Sequence, residues 1–211
     1  MNGTELKLND KAFDDIMLKH SLALKMLETE LKIMIQNYEY TNNCNPVDHV
    51  KSRLKSKESI IHKLEKKNYP ITIENIVKHV HDIIGVRIVC PFINDVYDII
   101  DLIKKNTKYT ITEEKDYISN PKHTGYISYH IILKMPIFLD GEEVEIEAEI
   151  QIRTIAMDFW ASLDHKIGYK LEDMPEELRT EMYTCAKEIK ELDKQMFKIK
   201  KKAEKYKREH Q

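Results

Sequence analysis

The chain has 211 residues and a formal net charge of −2, with 42% apolar and 33% charged residues. This balance excludes a polycation that binds nucleic acid through overall charge. No apolar run reaches the ~18 residues of a membrane span, and the first residues lack an apolar signal core. We therefore expect a cytoplasmic protein that does not bind membranes.

The glycines and cysteines exclude several kinds of site. Only five glycines are present, and they cannot form the GxxxxGK or GxGxxG loops that hold phosphates through backbone N–H groups. The three cysteines have no paired spacing, which indicates neither a disulfide framework nor a CxxC metal site. A phosphorylated ligand would have to be held by cationic side chains.

The first two predicted elements are helices. Apolar residues recur at steps of three and four from Phe13 to Tyr38, which predicts one long amphipathic helix. A second helix is predicted over residues 48–67, with Arg53 near its start. One polar stripe of this helix suits an extended polyphosphate, although such a stripe is more often a solvated face. The stripe consists of Lys55, Ser59, Lys63 and Lys66.

A buried strand is predicted over residues 83–90, where the sequence IIGVRIVC is almost continuously apolar. Asp82 lies at its start and Arg87 within it, and an arginine in an apolar strand is uncommon unless it is paired, stacked or lining a site. Asp82 could belong to a salt-bridged core pair, or it could hold Mg²⁺ together with a distant carboxylate. A helix over residues 95–105, capped by Asn94, follows.

Three further strands are predicted over residues 107–115, 126–135 and 143–153, with a turn at Asp140-Gly141. The last strand, EVEIEAEIQIR, alternates apolar and acidic side chains, so the two kinds point to opposite faces. A row of carboxylates is costly unless it is solvated or neutralised. We expect a solvated edge for the first glutamates and a metal-binding or proton-transfer role for Glu149.

Aromatic and basic residues are interleaved in the segment KDYISNPKHTGYISYH. Tyr126 and His130 share one face of the predicted strand, and Lys115 and Lys122 precede them. An aromatic side chain at a strand end, with lysines nearby, could stack on a base and hold its phosphates. Each of these residues taken alone is more often structural.

Two helices complete the predicted elements, and the alternation of helices and strands indicates an α/β or α+β layered fold. The first covers residues 155–168. The second follows Pro175 and carries a narrow apolar seam from Met182 to Tyr206, which needs a partner in this chain or in another subunit. Residues 194–211 contain eight Lys and Arg, a pattern of either a solvated helix end or an RNA-binding segment.

Taken together, the chain resembles the RelA/SpoT-type alarmone synthetases, and in length the small single-domain members of the RelQ type. The resemblance covers about residues 38–170 and rests on five segments in the family's order: RLKSKES, HDIIGVRI, KDYISNPKHTGYISYH, EIQIRT and DFWASLDHKIGYK. It implies a nucleotidyltransferase-like mixed β-sheet flanked by helices over residues 46–170. Residues 1–45 and 171–211 would be helical extensions.

The resemblance also implies an activity and a set of site residues. Such enzymes transfer pyrophosphate from ATP to the ribose 3′-hydroxyl of GDP or GTP, with GMP as a further candidate acceptor, and release AMP. Asp82 and Glu149 would hold Mg²⁺, with Glu149 also the general base, and Arg53 and Arg87 would enclose adenine. The ATP phosphates would contact Lys55, Ser59, Lys63 and Lys66, and the guanine nucleotide would lie near Lys115, Lys122, Tyr126, His130, Gln151, Asp158 and Asp164.

Two departures from the family pattern bear on acceptor choice. The family often has Asn at the position of Asp158 and Glu at that of Asp164.

RelQ-type members form tetramers with a central cleft that can bind the product, and Lys32 and His49 fall where such contacts would lie. A single-stranded RNA-binding regulatory protein with weak or no synthetase activity is the alternative.

Overall fold

The computed structural model describes residues 10–168 and 175–210, which form one five-stranded sheet and six helices. The helices are α1 (Asp10–Asn42), α2 (Lys57–Lys66), α3 (Ile73–His79), α4 (Ile93–Lys104), α5 (Ile155–Gly168) and α6 (Glu176–Glu209). The strands are β1 (His49–Leu54), β2 (Ile84–Cys90), β3 (Thr110–Asp116), β4 (Tyr129–Leu139) and β5 (Glu142–Thr154). The predicted domain boundary at 170/171 lies outside the described residues, and that at 45/46 stays a prediction. None of the helices described is long and apolar enough to cross a membrane.

The sheet is mixed, as predicted, with strand order β1-β2-β5-β4-β3. The central pair, β2 and β5, is parallel, and the other neighbouring pairs are antiparallel. The turn predicted at Asp140-Gly141 connects β4 to β5, with φ of 52° and 85° at the two residues. Positive φ at both positions is typical of the type I′ hairpin, whose twist matches that of the flanking strands.

One face of the sheet packs against α1 and α4 and forms the main core. The apolar positions of β5 are buried on this face, so the alternation predicted for this strand is confirmed. Full burial of an isoleucine side chain contributes about 1.5–3 kcal/mol. The buried β5 residues are Ile146, Ala148, Ile150 and Ile152. The polar side chains that alternate with them point to the opposite face.

The helix predicted over residues 48–67 is wrong in its first half, because residues 49–54 form β1 instead. This segment pairs with the buried β2, and this tertiary contact favours a strand. Ser56 then caps α2, and its Oγ accepts a hydrogen bond from the Ser59 N–H at 3.3 Å. The predicted stripe is therefore divided: Lys55 lies between β1 and α2, and Ser59 and the other lysines lie on α2.

Smaller differences affect the neighbouring elements. Asn94 does not cap α4: the helix begins at Ile93, two residues earlier than predicted, and Asp95 Oδ2 accepts a hydrogen bond from the N–H of the capping residue Phe92 at 3.2 Å. The strands predicted over residues 107–115 and 126–135 each begin three residues later than predicted, so Tyr126 precedes β4. The short helix α3 was not predicted.

The C-terminal helix α6 is confirmed, but it buries little of the predicted seam. Ala186 and Asp193 are its buried residues, and Asp193 Oδ2 accepts a hydrogen bond from Thr154 Oγ1 at 2.6 Å, at the start of α5. Burial raises the pKa of the Asp193 carboxyl. Leu192 and Ile199 are 53% and 56% exposed, so this chain leaves the middle of the seam uncovered.

Candidate active site

A row of polar side chains crosses the whole sheet on the face opposite the main core. The strand register places one such residue on each strand, in the order of the sheet: Lys51, Arg87, Gln151, His130 and Lys115. Four of these were predicted as site residues, and Lys51 was not. In the next row, Arg53 of β1 pairs with Gly85 of β2, which pairs with Glu149 of β5.

A cavity of about 610 Å³ opens on this face. Seven predicted site residues line it: Arg53, Asp82, Arg87, Tyr126, Glu149, Gln151 and Asp164. Lys51, Arg153 and Lys166 line it as well and were not predicted. The cavity therefore brings together residues from β1, β2, β5 and α5, with cations from three strands around the carboxylates of Asp82, Glu149 and Asp164.

Asp82 connects the cavity to two lysines: Lys55, which precedes α2, and Lys63, which lies on it. Lys55 Nζ donates to Asp82 Oδ2 at 2.7 Å, and Lys63 Nζ donates to Oδ1 at 2.6 Å. Burial alone would raise the pKa of Asp82, but the two lysines outweigh it and hold this pKa below its usual range. None of the four residues of the predicted phosphate stripe lines the cavity itself. Lys55 and Lys63 are connected to it through Asp82, whereas Ser59 and Lys66 are exposed.

Glu149 belongs to a closed ring of hydrogen bonds, which we call the polar ring: Glu149, His130, Tyr126, Arg153 and Gln151. His130 Nδ1 lies 3.1 Å from Glu149 Oε1, and His130 Nε2 lies 2.9 Å from the Tyr126 hydroxyl. Arg153 Nη2 donates to that hydroxyl and, at 2.6 Å, to Gln151 Oε1. Gln151 Nε2 donates to Glu149 Oε2 at 2.7 Å and closes the ring.

The polar ring keeps Glu149 ionised. Burial would raise the pKa of Glu149, but the hydrogen bonds from His130 and Gln151 outweigh burial and the repulsion from Asp82, so this pKa is lowered. Burial raises the pKa of the Tyr126 phenol, which therefore stays neutral and can hydrogen-bond in the ring. An ionised, oriented carboxylate beside the cavity can accept a proton or bind a cation.

Of the cavity residues that were not predicted, Arg153 makes the most contacts with predicted ones. It is 3% exposed, and its Nε donates to Ser128 Oγ at 3.1 Å. Its guanidinium lies 5.1 Å from the centre of the Tyr126 ring and also pairs with Asp158. The sequence did contain a signal for this residue: like Arg87, it is an arginine within an otherwise apolar strand. Two of its partners, Tyr126 and Ser128, however, lie more than twenty residues away in the sequence.

The loop of residues 117–127, here called loop 117–127, carries Tyr126 and Lys122. Lys122 Nζ lies 4.9 Å from the centre of the Tyr126 ring, and burial lowers the pKa of this lysine. Gly125 has φ of +88°, and a Cβ added there would lie 2.6 Å from Ala186 Cβ. Helix α6 therefore packs directly against this loop.

The remaining predicted residues have more varied positions. Lys115 Nζ lies 3.0 Å from Glu113 Oε2. Asp164 lies on α5, where burial raises the pKa of its carboxyl. Lys32 is exposed on α1, and His49 Nδ1 lies 2.7 Å from Asp48 Oδ2 at the start of β1. Asp158 is buried behind two arginines and outside the cavity lining. The roles given to these residues stay predictions.

The carboxylates of Asp82 and Glu149 fit a divalent cation such as Mg²⁺, which prefers oxygen ligands. No group of three His, Cys, Asp or Glu side chains suited to a metal occurs within the described ranges. Two carboxylates are nevertheless a common protein contribution to Mg²⁺, because water and substrate phosphates supply the other ligands.

Known proteins share this sequence pattern and fold. Residues 52–174 match the region found in RelA / SpoT proteins. GTP pyrophosphokinase YwaC of Bacillus subtilis is 44% identical over 198 residues, which are 93% of this chain and 94% of the relative.

Two solved structures are similar over almost their whole length. Small alarmone synthetase 2 of Bacillus subtilis is 44% identical, with a TM-score of 0.81, and the match covers 90% of this chain and 98% of that one. Small alarmone synthetase 1 of the same organism, bound to its product pppGpp, is 30% identical, with a TM-score of 0.84 and coverage of 92% and 99%. These matches confirm the predicted fold, and the chain belongs to the RelA/SpoT family.

Proposed function

We propose that the protein is a GTP pyrophosphokinase that transfers pyrophosphate from ATP to the 3′-hydroxyl of GDP or GTP. The observation that carries this proposal is that Asp82 and Glu149, both ionised, line one cavity together with arginines from β1, β2 and β5. The relatives named as GTP pyrophosphokinase and as a pppGpp-bound alarmone synthetase support the same activity.

The chemistry needs a base and close positioning of two nucleotides. The ribose 3′-oxygen attacks the β-phosphorus of ATP, the bond from that phosphorus to the α,β-bridging oxygen breaks, and AMP leaves. Glu149 would take the hydroxyl proton, a contribution of typically ~10²–10⁴-fold. Holding both nucleotides in line can remove ~7–11 kcal/mol of the barrier. Bound Mg²⁺, held by Asp82 and Glu149, would spread the phosphate charge.

The two nucleotides would occupy different sides of the cavity. Arg53 and Arg87 would lie against adenine, and Lys55 and Lys63 would move from Asp82 toward the ATP phosphates. Tyr126 would stack on guanine. Lysines and arginines would thus replace the glycine loop that many nucleotide-binding enzymes use.

A nucleotide-product assay tests this function. We expect incubation with ATP, GDP and Mg²⁺ to give ppGpp and AMP in equal amounts, and GTP in place of GDP to give pppGpp. Chelation of the divalent cation with EDTA should stop both reactions, and restored Mg²⁺ should recover them. Absence of a pyrophosphorylated product with GMP, GDP and GTP alike would reject the proposal.

The exposed seam of α6 supports assembly of several copies, and we propose a homotetramer. Leu192, Met196 and Ile199 share one exposed face of α6, and an apolar face of this kind usually marks an interface. Light scattering after size-exclusion chromatography should give four times the mass of one chain. Leu192→Glu together with Ile199→Glu should lower that mass, and a monomeric wild-type protein would contradict the proposal. The comparisons give no support to the RNA-binding alternative.

A further inference from the structure

Asp158 is shared by two arginines on neighbouring strands. It lies in the first turn of α5 and is 9% exposed. Its Oδ1 lies 3.1 Å from Arg87 Nη1 and 3.2 Å from Arg153 Nη1. One carboxylate oxygen therefore joins a guanidinium of β2 to a guanidinium of β5.

The two arginines belong to opposite sides of the proposed site. Arg87 lines the cavity on the proposed adenine side, and its buried Nε has no hydrogen-bond partner among the described residues. Arg153 is inside the polar ring and donates to both Tyr126 and Gln151. A change in the position of Arg87 can therefore shift Arg153, on the proposed guanine side, because both arginines contact Asp158 Oδ1.

We propose that Asp158 is a positioning residue that couples the binding of the two nucleotides through Arg87 and Arg153. This inference rests on the proposed function, since it takes adenine to lie against Arg87 and guanine against Tyr126. A nucleotide bound on Arg87 fixes that guanidinium, and with it Asp158, Arg153 and the polar ring. The second nucleotide then meets a site that is already ordered and loses less entropy on binding. Linkage requires the effect to be equal in both directions.

The negative charge is essential to this role. Arg153 is buried and Arg87 is half-buried at the cavity wall, so two neighbouring guanidiniums need a counter-charge between them. Asp158 supplies this charge to both. An asparagine of the same size offers a single neutral acceptor, and its NH₂ group would face a donor if it pointed toward either arginine. The Asn variant should therefore loosen the connection between Arg87 and Arg153 and leave the cavity lining unchanged.

Titration calorimetry with the non-reacting α,β-methylene-ATP and with GDP measures the coupling directly. In the wild-type protein, we expect saturation with either nucleotide to tighten the binding of the other at least about fivefold. In Asp158→Asn this factor should fall to about one, with smaller changes in the two separate Kd values. An equal factor in both proteins, or no coupling in the wild type, would overturn the inference.

Asp95 provides a matched control for the removal of a buried aspartate charge. It lies in the first turn of α4, is 5% exposed and pairs with Lys200 at 3.2 Å, and it is not part of the cavity lining. Asp95→Asn should keep the full coupling factor. Asp158→Glu, which restores the charge, should recover part of the coupling that Asp158→Asn loses. Loss of coupling in Asp95→Asn as well would indicate a general loss of stability and reject a specific role.

A spectroscopic measurement keeps the inference testable if the Asn variant does not fold. In the wild-type protein, α,β-methylene-ATP alone should shift the ¹⁵N signals of the His130 ring, assigned by comparison with His130→Gln. No shift would overturn the inference. Because calorimetry involves no turnover, coupling without ppGpp synthesis would reject the proposed activity alone, whereas synthesis without coupling would reject only the role of Asp158.

Discussion

Replacement of Glu149 by glutamine is expected to lower kcat by about 10²–10⁴-fold, the usual contribution of a general base. Glutamine keeps the size of the side chain and can still hydrogen-bond to His130, but it cannot accept the proton of the 3′-hydroxyl. The binding of α,β-methylene-ATP should change far less, because Arg53 and Arg87 remain. Single-turnover product formation and calorimetry separate the two effects.

Glu145 is the matched control for this variant. It lies four residues earlier on the same face of β5, is exposed, and contacts Lys134 at 3.8 Å. Glu145→Gln removes the same charge outside the cavity and should leave kcat within about twofold, as expected of an exposed ion pair. Near-normal turnover in Glu149→Gln would show that another group takes the proton.

Replacement of Arg153 by methionine is expected to lower the free energy of unfolding by about 3 kcal/mol, the lower end of the cost of breaking a buried ion pair. The change leaves Ser128, Gln151 and the Tyr126 hydroxyl without their donor. Arg87 still neutralises Asp158, which limits the loss. Urea unfolding followed by circular dichroism measures the difference, and turnover should fall with it because the polar ring is opened.

Arg179 serves as the control because it is an exposed arginine on α6, with Glu176 3.8 Å away. Arg179→Met should change the unfolding free energy by less than about 0.5 kcal/mol. The double variant Arg153→Met, Asp158→Asn should lose less than the sum of the single losses, since the two residues interact. If Arg153→Met lowered the free energy of unfolding by less than about 1 kcal/mol, Arg153 would not be an important member of the polar ring.

The sequence predicted the elements whose side-chain period is unambiguous. β5 alternates strictly, and α1 repeats its apolar residues at helical steps, so both were placed correctly. The sequence predicts a helix at residues 49–54 because Val50 and Leu54 continue the helical spacing of the apolar residues after them. Only pairing with the buried strand β2 decides between the two, and that information is tertiary.

The site residues, too, could be predicted only where a local pattern marks them. Asp82, Arg87 and Glu149 stand out locally because each is a charged residue at or within an apolar strand, and all three line the cavity. Arg153 gave the same signal, but its importance comes from Tyr126 and Ser128, which only the register of β4 against β5 brings near. Likewise, no local pattern could show that Asp158 lies between two arginines, because β2 and β5 are separated by about sixty residues in the chain.

The contact between Gly125 and Ala186 limits how this enzyme can be altered by recombination. Since the glycine hydrogen faces the alanine methyl group across a gap too small for another carbon, loop 117–127 and this turn of α6 form a matched pair. A chimera that imports the loop from a relative would also need the relative's helical turn. Gly125 is also held at φ of +88°, where any side chain is strained. We therefore expect Gly125 to resist all substitution, and position 186 to resist residues larger than alanine.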